Sequence, residues 1–144
     1  MTDADIFEVE LEDVYHYRLS YGGQSPYFHG LKRGELVGSC CSGCGQVWVP
    51  PRPICSKCYQ ETKPVKLSGK AEILTVIMLS EAPAHLKHVD GSIATALVRP
   101  DGADTCIKAF IIGDRAKLSR GLRVDARFLP EISTIADFYF VPES

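Results

Sequence analysis

Two pairs of cysteines, each with two residues between them, constrain the fold of this chain more than any other feature. The first pair is Cys41 and Cys44, and the second is Cys55 and Cys58. Two intervening residues let both sulfurs of a tight turn point at one ion, and Gly45 lets the chain leave the first turn with an unusual φ. Four thiolates complete the tetrahedral coordination of zinc and leave no open position. The spacing therefore predicts one structural zinc ion held by these four cysteines.

The same motif leaves other interpretations open. Four thiolates also accept iron, as in rubredoxin, and a secreted chain would pair its cysteines as disulfides instead. Cys40 offers a second choice of first ligand, but it leaves three residues before Cys44, where Cys41 leaves two. The two-residue spacing matches the second pair, so Cys41 is the better candidate. Cys106 lies within a predicted strand, where a buried thiol is the ordinary explanation.

Composition and charge narrow the class of protein. The hydrophobic fraction of 45% is typical of a folded globular chain. The net charge of −2 lacks the basic excess of a strongly electrostatic nucleic-acid-binding protein. The acidic first residues contain no apolar signal core, and the apolar stretch at residues 73–79 is far shorter than the ~20 residues of a membrane span. We therefore expect a cytoplasmic protein without membrane contact.

The region before the cysteines contains helix signals. Ser25 and Pro26 predict an N-cap followed by a first helical residue, and a short helix that ends at Gly30 or Gly34. Residues 12–21 also fit a helix, although they fit strand alternation in part. This region is therefore predicted to be helical in part.

The rest of the chain favours extended structure. The prolines at positions 50, 51 and 53 exclude a helix between the two cysteine pairs. β-Branched runs, turn signals and period-2 alternation predict five strands beyond the cysteines, at residues 70–79, 92–98, 105–112, 122–128 and 134–141. Five strands of this length suit a small closed or partly closed barrel.

The order of these motifs resembles that of a known family over about residues 25–141. The cysteine region with its Pro-Pro-Arg linker is the most specific part of the resemblance. The matching positions are Ser25-Pro26-Tyr27-Phe28-His29-Gly30-Leu31, Gly34-Glu35-Leu36, Cys41-x2-Cys44-Gly45, Val49-Pro50-Pro51-Arg52, Cys55-x2-Cys58, Gly69, Gly121-Leu122-Arg123-Val124 and Phe128. On these residues the chain resembles the zinc-ribbon plus OB-fold family known as domain of unknown function 35.

The resemblance implies a mainly β protein in three parts. An N-terminal helical segment would occupy residues 1–38. A rubredoxin-like four-cysteine zinc ribbon would follow at residues 39–65, and a five-stranded OB-fold barrel at residues 66–144.

The resemblance also implies a function. Members of this family are commonly partners of thiolase-like enzymes, in which the thiolase supplies the nucleophilic cysteine and the family member supports the acyl-CoA site or bridges subunits. We therefore expect a zinc-binding accessory subunit of a thiolase-like acyl-CoA enzyme complex, with no catalytic residue of its own. One member type belongs to benzoylsuccinyl-CoA thiolase, and this type is among the alternatives that the resemblance leaves open.

Four side chains are candidates for contact with CoA or with the partner. His85, Lys87 and His88 cluster in a predicted loop between two strands, where binding residues often lie. Lys87 would supply charge to the phosphates, and the two histidines would donate hydrogen bonds. Arg52 lies on a stiff proline-rich linker, which limits the entropy lost when its guanidinium binds a carboxylate or phosphate. The alternatives are a solvated loop for the cluster and an internal salt bridge for Arg52.

Aromatic residues are concentrated before the ribbon, at Tyr15, Tyr17, Tyr21, Tyr27 and Phe28. Aromatic side chains dominate the binding energy of protein interfaces, so Tyr21, Tyr27 and Phe28 are candidate partner contacts. The alternative is that these rings pack onto the barrel.

Two other functional classes fit the sequence less well. A single-stranded nucleic-acid-binding protein is the first, because OB folds and zinc ribbons both occur in that role. The basic residues of the barrel are interspersed with acids, so nucleic acid is not an expected partner. An independent enzyme is the second, but Glu81, Asp90 and Asp137 are isolated carboxylates without motif spacing, and no histidine lies in a nucleophile motif.

Overall fold

The computed structural model describes residues 6–18 and 22–144. Within those ranges the protein is mostly strand, with one short α-helix near the N-terminus, as the sequence predicts. In chain order the elements are α1 (Ser25–Lys32), β1 (Val37–Cys41), β2 (Val47–Trp48), β3 (Thr62–Lys66), β4 (Lys70–Met78), β5 (Ser92–Pro100), β6 (Ile107–Gly113), β7 (Arg123–Phe128) and β8 (Phe138–Pro142). Across the described ranges, none of the helices has the length and apolar character needed to cross a bilayer.

Helix α1 forms where the sequence predicts a helix, but its first turn is shifted by one residue. Ser25 is the first helical residue rather than the N-cap, and Gln24 holds the cap position without a side-chain hydrogen bond. Gly30 is buried within the helix, so Gly34 is the glycine that follows its end. A Cβ atom at Gly30 would lie 2.5 Å from Cγ2 of Val37. This glycine therefore lets α1 pack closely against β1.

The helix predicted at residues 12–21 is wrong for its described part. Residues 12–18 have no regular secondary structure, and every residue from 6 to 18 is exposed. Short helices in proteins depend on burial of an apolar face, and no such burial is available to this segment. Residues 19–21 lie outside the described residues.

Strands β1, β2 and β3 form the small sheet of the ribbon, in the order β2-β1-β3 with antiparallel pairing. The proline-rich segment between β2 and β3 contains no helix, as predicted. Ser39 on β1 fixes this segment, because its buried Oγ accepts a hydrogen bond from the Arg52 N–H at 2.9 Å and donates to the Arg52 carbonyl at 3.1 Å. The linker is therefore held to the sheet at its centre.

The five remaining strands form a closed barrel in the order β4-β5-β6-β8-β7, which β7 closes by pairing with β4. Only the pairing of β6 with β8 is parallel. On β5, Ala94, Ala96 and Val98 join the core, while Thr95 and Leu97 alternate with them on the outer face. The predicted five-stranded barrel is therefore confirmed, and it is OB-like.

Two barrel strands begin later than the sequence predicts. β6 begins at Ile107, because Thr105 is hydrogen-bonded to the ribbon instead of to a neighbouring strand. β8 begins at Phe138, because residues 133–134 form a turn closed by the carboxylate of Asp137. Both differences come from tertiary hydrogen bonds that local periodicity does not encode.

Helix, ribbon and barrel share one hydrophobic core. Tyr27 and Leu31 of α1 lie in the same cluster of buried side chains as Val49 of the ribbon. The other buried members are Leu36, Leu67, Ala71, Ile73, Ala94, Ala96, Val98, Ile107, Ala109, Ile111, Leu118, Val124, Phe138 and Phe140. The ribbon is therefore packed onto the barrel rather than tethered to it.

Candidate metal centre and neighbouring pocket

The four predicted ligand sulfurs converge on one point. The Sγ atoms of Cys41, Cys44, Cys55 and Cys58 all lie within 4.8 Å of one another. Cys41 Sγ is 3.3 Å from Cys58 Sγ, and Cys44 Sγ is 3.7 Å from Cys55 Sγ. Four sulfurs at ~2.3 Å from a tetrahedral zinc ion lie about 3.8 Å apart. The four cysteines are therefore positioned to bind one zinc ion, and Cys41 rather than Cys40 lies in the cluster.

The two turns that carry these cysteines have the same backbone design. The Gly45 N–H donates to the carbonyl of Cys41 at 3.1 Å, and the Tyr59 N–H donates to the carbonyl of Cys55 at 2.9 Å. Both turns leave through the left-handed region, with φ of +75° at Gly45 and +61° at Tyr59. A tyrosine adopts this conformation only at a cost, and Tyr59 does so directly after Cys58, a member of the cysteine cluster.

Backbone N–H groups of the turns point at the sulfurs. The N–H groups of Gly43 and Cys44 lie 3.3 and 3.5 Å from Cys41 Sγ, and the N–H of Lys57 lies 3.4 Å from Cys55 Sγ. Hydrogen bonds to a thiolate stabilise its negative charge. The N–H of Cys44 is the main reason that the pKa of Cys41 lies below its ordinary value.

The second pair of thiols divides into one that ionises readily and one that does not. Burial disfavours the Cys55 thiolate, but the backbone N–H groups of Lys57 and Cys58 outweigh burial and lower the pKa of Cys55 to about 6. The Gln60 N–H favours the Cys58 thiolate, but the neighbouring sulfur of Cys41 and burial raise the pKa of Cys58 to about 11. A zinc ion at this point would be coordinated by all four sulfurs as thiolates.

The other two cysteines lie outside the cluster. The thiol of Cys40 points at the carbonyl of Gly45, 3.6 Å away. Cys106 precedes β6 and is half-buried, so its prediction as a buried residue inside a strand is wrong. All six cysteines are free of disulfide bonds.

A pocket of about 420 Å³ lies beside the barrel, where all three parts of the chain meet. Three of its lining residues are Tyr27 from α1, Pro50 from the ribbon and Thr95 from β5. The others are Cys106, just before β6, then Ile107, Lys108, Ala109 and Phe110 on β6, Ile135 and Ala136 in the β7–β8 loop, and Phe138 at the start of β8. The wall is mostly apolar, and the hydroxyl oxygen of Thr95 is buried there without a hydrogen-bond partner. Pockets of this kind, with few polar groups in an apolar wall, are typical small-molecule sites.

No local pattern in the sequence predicts this pocket. Cys106, just before β6, and Lys108 and Phe110 on β6 line the pocket together with Thr95 of β5. The sequence signal for the pocket would be these outward-facing residues on two adjacent strands. That signal can be recognised only when the register between β5 and β6 is known. The face formed by the second and third strands is also where OB folds bind ligands.

The predicted histidine cluster lies beside the pocket. His85 belongs to a short 3-10 turn, Ala84–Leu86, and its ring centroid is 5.7 Å from that of Phe110, a pocket residue. Leu86 is fully buried, so it anchors the loop to the barrel, while Lys87 and His88 are exposed. The loop is therefore docked onto the outer face of the barrel, with its polar side chains in solvent.

Arg52 lies on the ribbon and is exposed. Its guanidinium carbon is 4.9 Å from the centroid of the Trp48 ring, a cation–π arrangement. In the part of the chain that the structure describes, Arg52 forms no ion pair, so the internal salt bridge considered above is absent there. Its guanidinium is presented to solvent two residues beyond Pro50, a pocket residue.

The predicted aromatic contacts divide into internal and undescribed residues. Tyr27 is buried in the core, lines the pocket, and packs edge-on against Phe28 with ring centroids 5.6 Å apart. Burial raises the pKa of the Tyr27 hydroxyl well above its ordinary value. Phe28 is half-buried against the same core. Tyr21 lies outside the described residues.

Comparisons with known proteins agree with this architecture. Residues 28–62 match the model of the ChsH2 rubredoxin-like zinc ribbon domain. A DUF35 domain-containing scaffold protein from Methanocaldococcus jannaschii is 40% identical over 57 residues, which make up 38% of this chain and 40% of that protein.

Two solved structures share most of this fold. The Ltp2-ChsH2(DUF35) aldolase matches with a TM-score of 0.67 and 21% identity, over 88% of this chain and 98% of the other. A DUF35 protein of unknown function from Sulfolobus solfataricus matches with a TM-score of 0.61 and 18% identity, over 83% and 84%. The four-cysteine site, the zinc-ribbon match and the barrel topology together show that this chain has the zinc-ribbon plus OB-like barrel architecture of the DUF35 proteins.

Proposed function

We propose that this protein is a non-catalytic, zinc-binding accessory subunit of a thiolase-like acyl-CoA enzyme complex, in which it supports acyl-CoA binding and assembly. The observation that carries the proposal is the pocket at the junction of helix, ribbon and barrel, next to a metal site whose ligands are all protein thiols. A closed site of this kind stabilises structure and activates no substrate.

The remaining polar side chains support a non-catalytic role. His16, His29, His85 and His88 are all exposed. Among residues 6–18 and 22–144, none of these histidines is hydrogen-bonded to a serine, threonine or cysteine side chain that could act as a nucleophile. A neighbouring base is a common way to activate such a nucleophile, so in this proposal the chemistry belongs to the partner subunit.

The pocket suits part of an acyl-CoA molecule. Its apolar wall fits an acyl or pantetheine chain, and the unpaired Thr95 hydroxyl offers a hydrogen bond to a carbonyl or amide. Lys108 lines the pocket and is exposed, and Lys87, His88 and Arg52 lie on the loops around it with their polar ends in solvent. The charged lysines and Arg52 would bind the phosphates of CoA, and His88 would donate a hydrogen bond to them. Arg52, His85, Lys87 and His88 therefore stay proposed contacts.

The partner is proposed from similarity. The Ltp2-ChsH2(DUF35) aldolase and the archaeal scaffold protein are named as an enzyme assembly and a scaffold, and this chain shares their fold or their ribbon. By analogy we assign this chain a thiolase-like partner subunit. The benzoylsuccinyl-CoA thiolase type stays a prediction.

The proposal is tested by co-expression with a candidate thiolase-like subunit from the same organism. We expect a stable complex in size-exclusion chromatography with light scattering, and acyl-CoA turnover only when both chains are present. Thr95→Val with Lys108→Ala should raise KM for the acyl-CoA while the complex stays intact. Turnover by the purified chain alone, or no complex with any thiolase-like subunit, would contradict the proposal.

A further inference from the structure

The N-terminal segment at residues 7–17 exposes several large apolar side chains to solvent. The side chains of Phe7, Val9, Leu11, Tyr15 and Tyr17 are 92%, 71%, 81%, 67% and 74% exposed. Contiguous exposed apolar surface on a soluble chain usually marks an interaction site. The segment therefore needs an explanation other than core packing.

These residues follow a period of two that is broken only at Asp13 and Val14. From position 7 to 17, the odd positions are apolar except for Asp13. The even positions carry Glu8, Glu10 and Glu12, and then Val14 and His16. Period two is the signature of a β-strand with one apolar and one polar face.

The rings of Tyr15 and Tyr17 provide an independent observation of the same geometry. They are stacked with centroids 5.9 Å apart and an angle of 6° between their planes. Side chains two residues apart lie on the same side of an extended chain, whereas on an α-helix they are about 200° apart. The segment therefore has the side-chain arrangement of a strand, although no strand pairs with it in the described residues.

This chain itself offers few places for such a strand to pair. The barrel is closed, and the stretches that its strands leave unpaired, on β4 after Ile73 and on β6 before Phe110, are short. In the ribbon sheet, β2 has only two residues, and the outer edge strand β3 contains Pro64 and two exposed lysines. Proline and lysine at an edge protect it against further pairing. The edge that accepts the segment therefore belongs to another protein.

We propose that residues 7–17 form an arm that adds as a β-strand to an open sheet edge of the thiolase-like partner subunit. This inference rests on the proposed function and deepens it by naming the docking element. The apolar side chains of the odd positions enter pockets on one face of the partner sheet. The four acidic side chains at positions 8, 10, 12 and 13 bind lysine or arginine residues that flank the edge, since the arm itself contains no lysine or arginine. Strand addition of this kind draws affinity from main-chain hydrogen bonds and specificity from alternate side chains.

The decisive variant is Phe7→Ser with Val9→Ser and Leu11→Ser. Its matched control is Ile77→Ser with Leu97→Ser, which replaces exposed apolar residues on the barrel. We expect the arm variant to weaken binding of the partner about 100-fold or more, because each interface anchor contributes at least ~1 kcal/mol, and the control to bind within about threefold of wild type. The arm lies outside the core, so both variants should keep their metal and their Tm.

Hydrogen exchange gives a second measurement, because it reports the pairing of the backbone rather than contacts of the side chains. In the wild-type complex, alternate backbone amides of residues 7–17 should become protected, because a strand pairs with its neighbour through every second residue. Glu8→Gln with Glu10→Gln and Glu12→Gln should slow association and flatten its salt dependence.

The outcomes separate the two proposals. If the wild-type chain binds a thiolase-like subunit and the arm variant binds it equally well, the arm proposal is wrong and the proposed function stands. If the wild-type chain binds no such subunit, the proposed function fails and the arm proposal fails with it. An arm-dependent dimer of this chain would also overturn the inference, since the accepting edge would then belong to a second copy.

Discussion

Thr105 satisfies both backbone groups of Val49. The Val49 N–H donates to Thr105 Oγ1 at 2.8 Å, and the same hydroxyl donates to the Val49 carbonyl at 3.0 Å. Val49 is buried, at 2% exposure, on the ribbon side of the common core. Strand β2 ends at Trp48, so Val49 has no neighbouring strand to pair with its backbone. The Thr105 side chain makes these two hydrogen bonds instead.

Replacing this hydroxyl should loosen the ribbon. Thr105→Val keeps the shape of the side chain but leaves two buried backbone groups of Val49 unpaired, which should cost about 1–3 kcal/mol of unfolding free energy. Chemical denaturation measures this loss. Thr105→Ser keeps the hydroxyl and should cost less than about 1 kcal/mol. Equal stability of the valine and serine variants would contradict the assigned role of the hydrogen bonds.

Metal content distinguishes the ligand cysteines from their neighbour. We expect one zinc ion per chain by elemental analysis, close to none in Cys44→Ser, and a full complement in Cys40→Ser, whose thiol faces the Gly45 carbonyl instead of the cluster. Iron in place of zinc would support the rubredoxin-like alternative.

Loss of the metal should also expose the ribbon to protease. Metal binding supplies much of the folding free energy of a small ribbon, so chelation should produce cleavage between residues 41 and 62. The barrel strands should be cleaved later, because their pairing does not involve the cysteines. Cleavage of the ribbon and the barrel at the same rate would show that the common core makes them unfold together.

Asp137 gives the fold a pH dependence with a definite sign. Its carboxylate accepts hydrogen bonds from the N–H groups of Ser133 and Thr134 at 2.6 and 2.5 Å, and from the Ser133 hydroxyl at 3.1 Å. Burial opposes ionisation, but these donors outweigh it and hold the pKa of Asp137 below its ordinary value. A group with a lowered folded pKa stabilises the fold above its unfolded pKa and loses that effect as the pH falls through the folded pKa.

Asp137→Asn should therefore be destabilising at neutral pH by about 1–2 kcal/mol. The difference between the variant and the wild type should be constant above about pH 5 and shrink below about pH 4. Thermal unfolding across this pH range measures it. A difference that grows on acidification would show that the carboxylate is not the stabilising form.

The metal ligands and the barrel strands could be predicted from the sequence because both have local signatures. The spacing of Cys41 and Cys44 alone favours them over Cys40, and the alternation on β7 is visible without any structure. Features that depend on distant residues could not be found in this way. Thr105 looks like the start of a strand until its bond to Val49 is known.

The segment at residues 12–21 shows a second reason for failure. Val14, Tyr17 and Tyr21 are spaced for a helix, but helix formation also needs a surface on which the apolar face is buried. The described part of the segment has none, and its tyrosine pair stacks as in an extended chain. Periodicity indicated two structures, and residues 12–18 adopt neither of them as regular secondary structure because nothing in the described chain buries their apolar side chains.

Thr95 lines the pocket, and its replacement should affect stability and binding in opposite directions. Its Oγ1 atom is buried and has no hydrogen-bond partner, which is costly in an apolar environment. Thr95→Val removes this cost at nearly constant volume, so it should raise the unfolding free energy by up to about 1 kcal/mol.

The same change should weaken acyl-CoA binding to the complex about tenfold, since a typical hydrogen bond contributes ~1 kcal/mol. Calorimetric titration measures binding and denaturation measures stability, with Thr95→Ser as the control that keeps the hydroxyl and the affinity. A valine variant that is less stable than wild type would show that the hydroxyl has a structural partner, and a valine variant with unchanged affinity would exclude Thr95 from the ligand site.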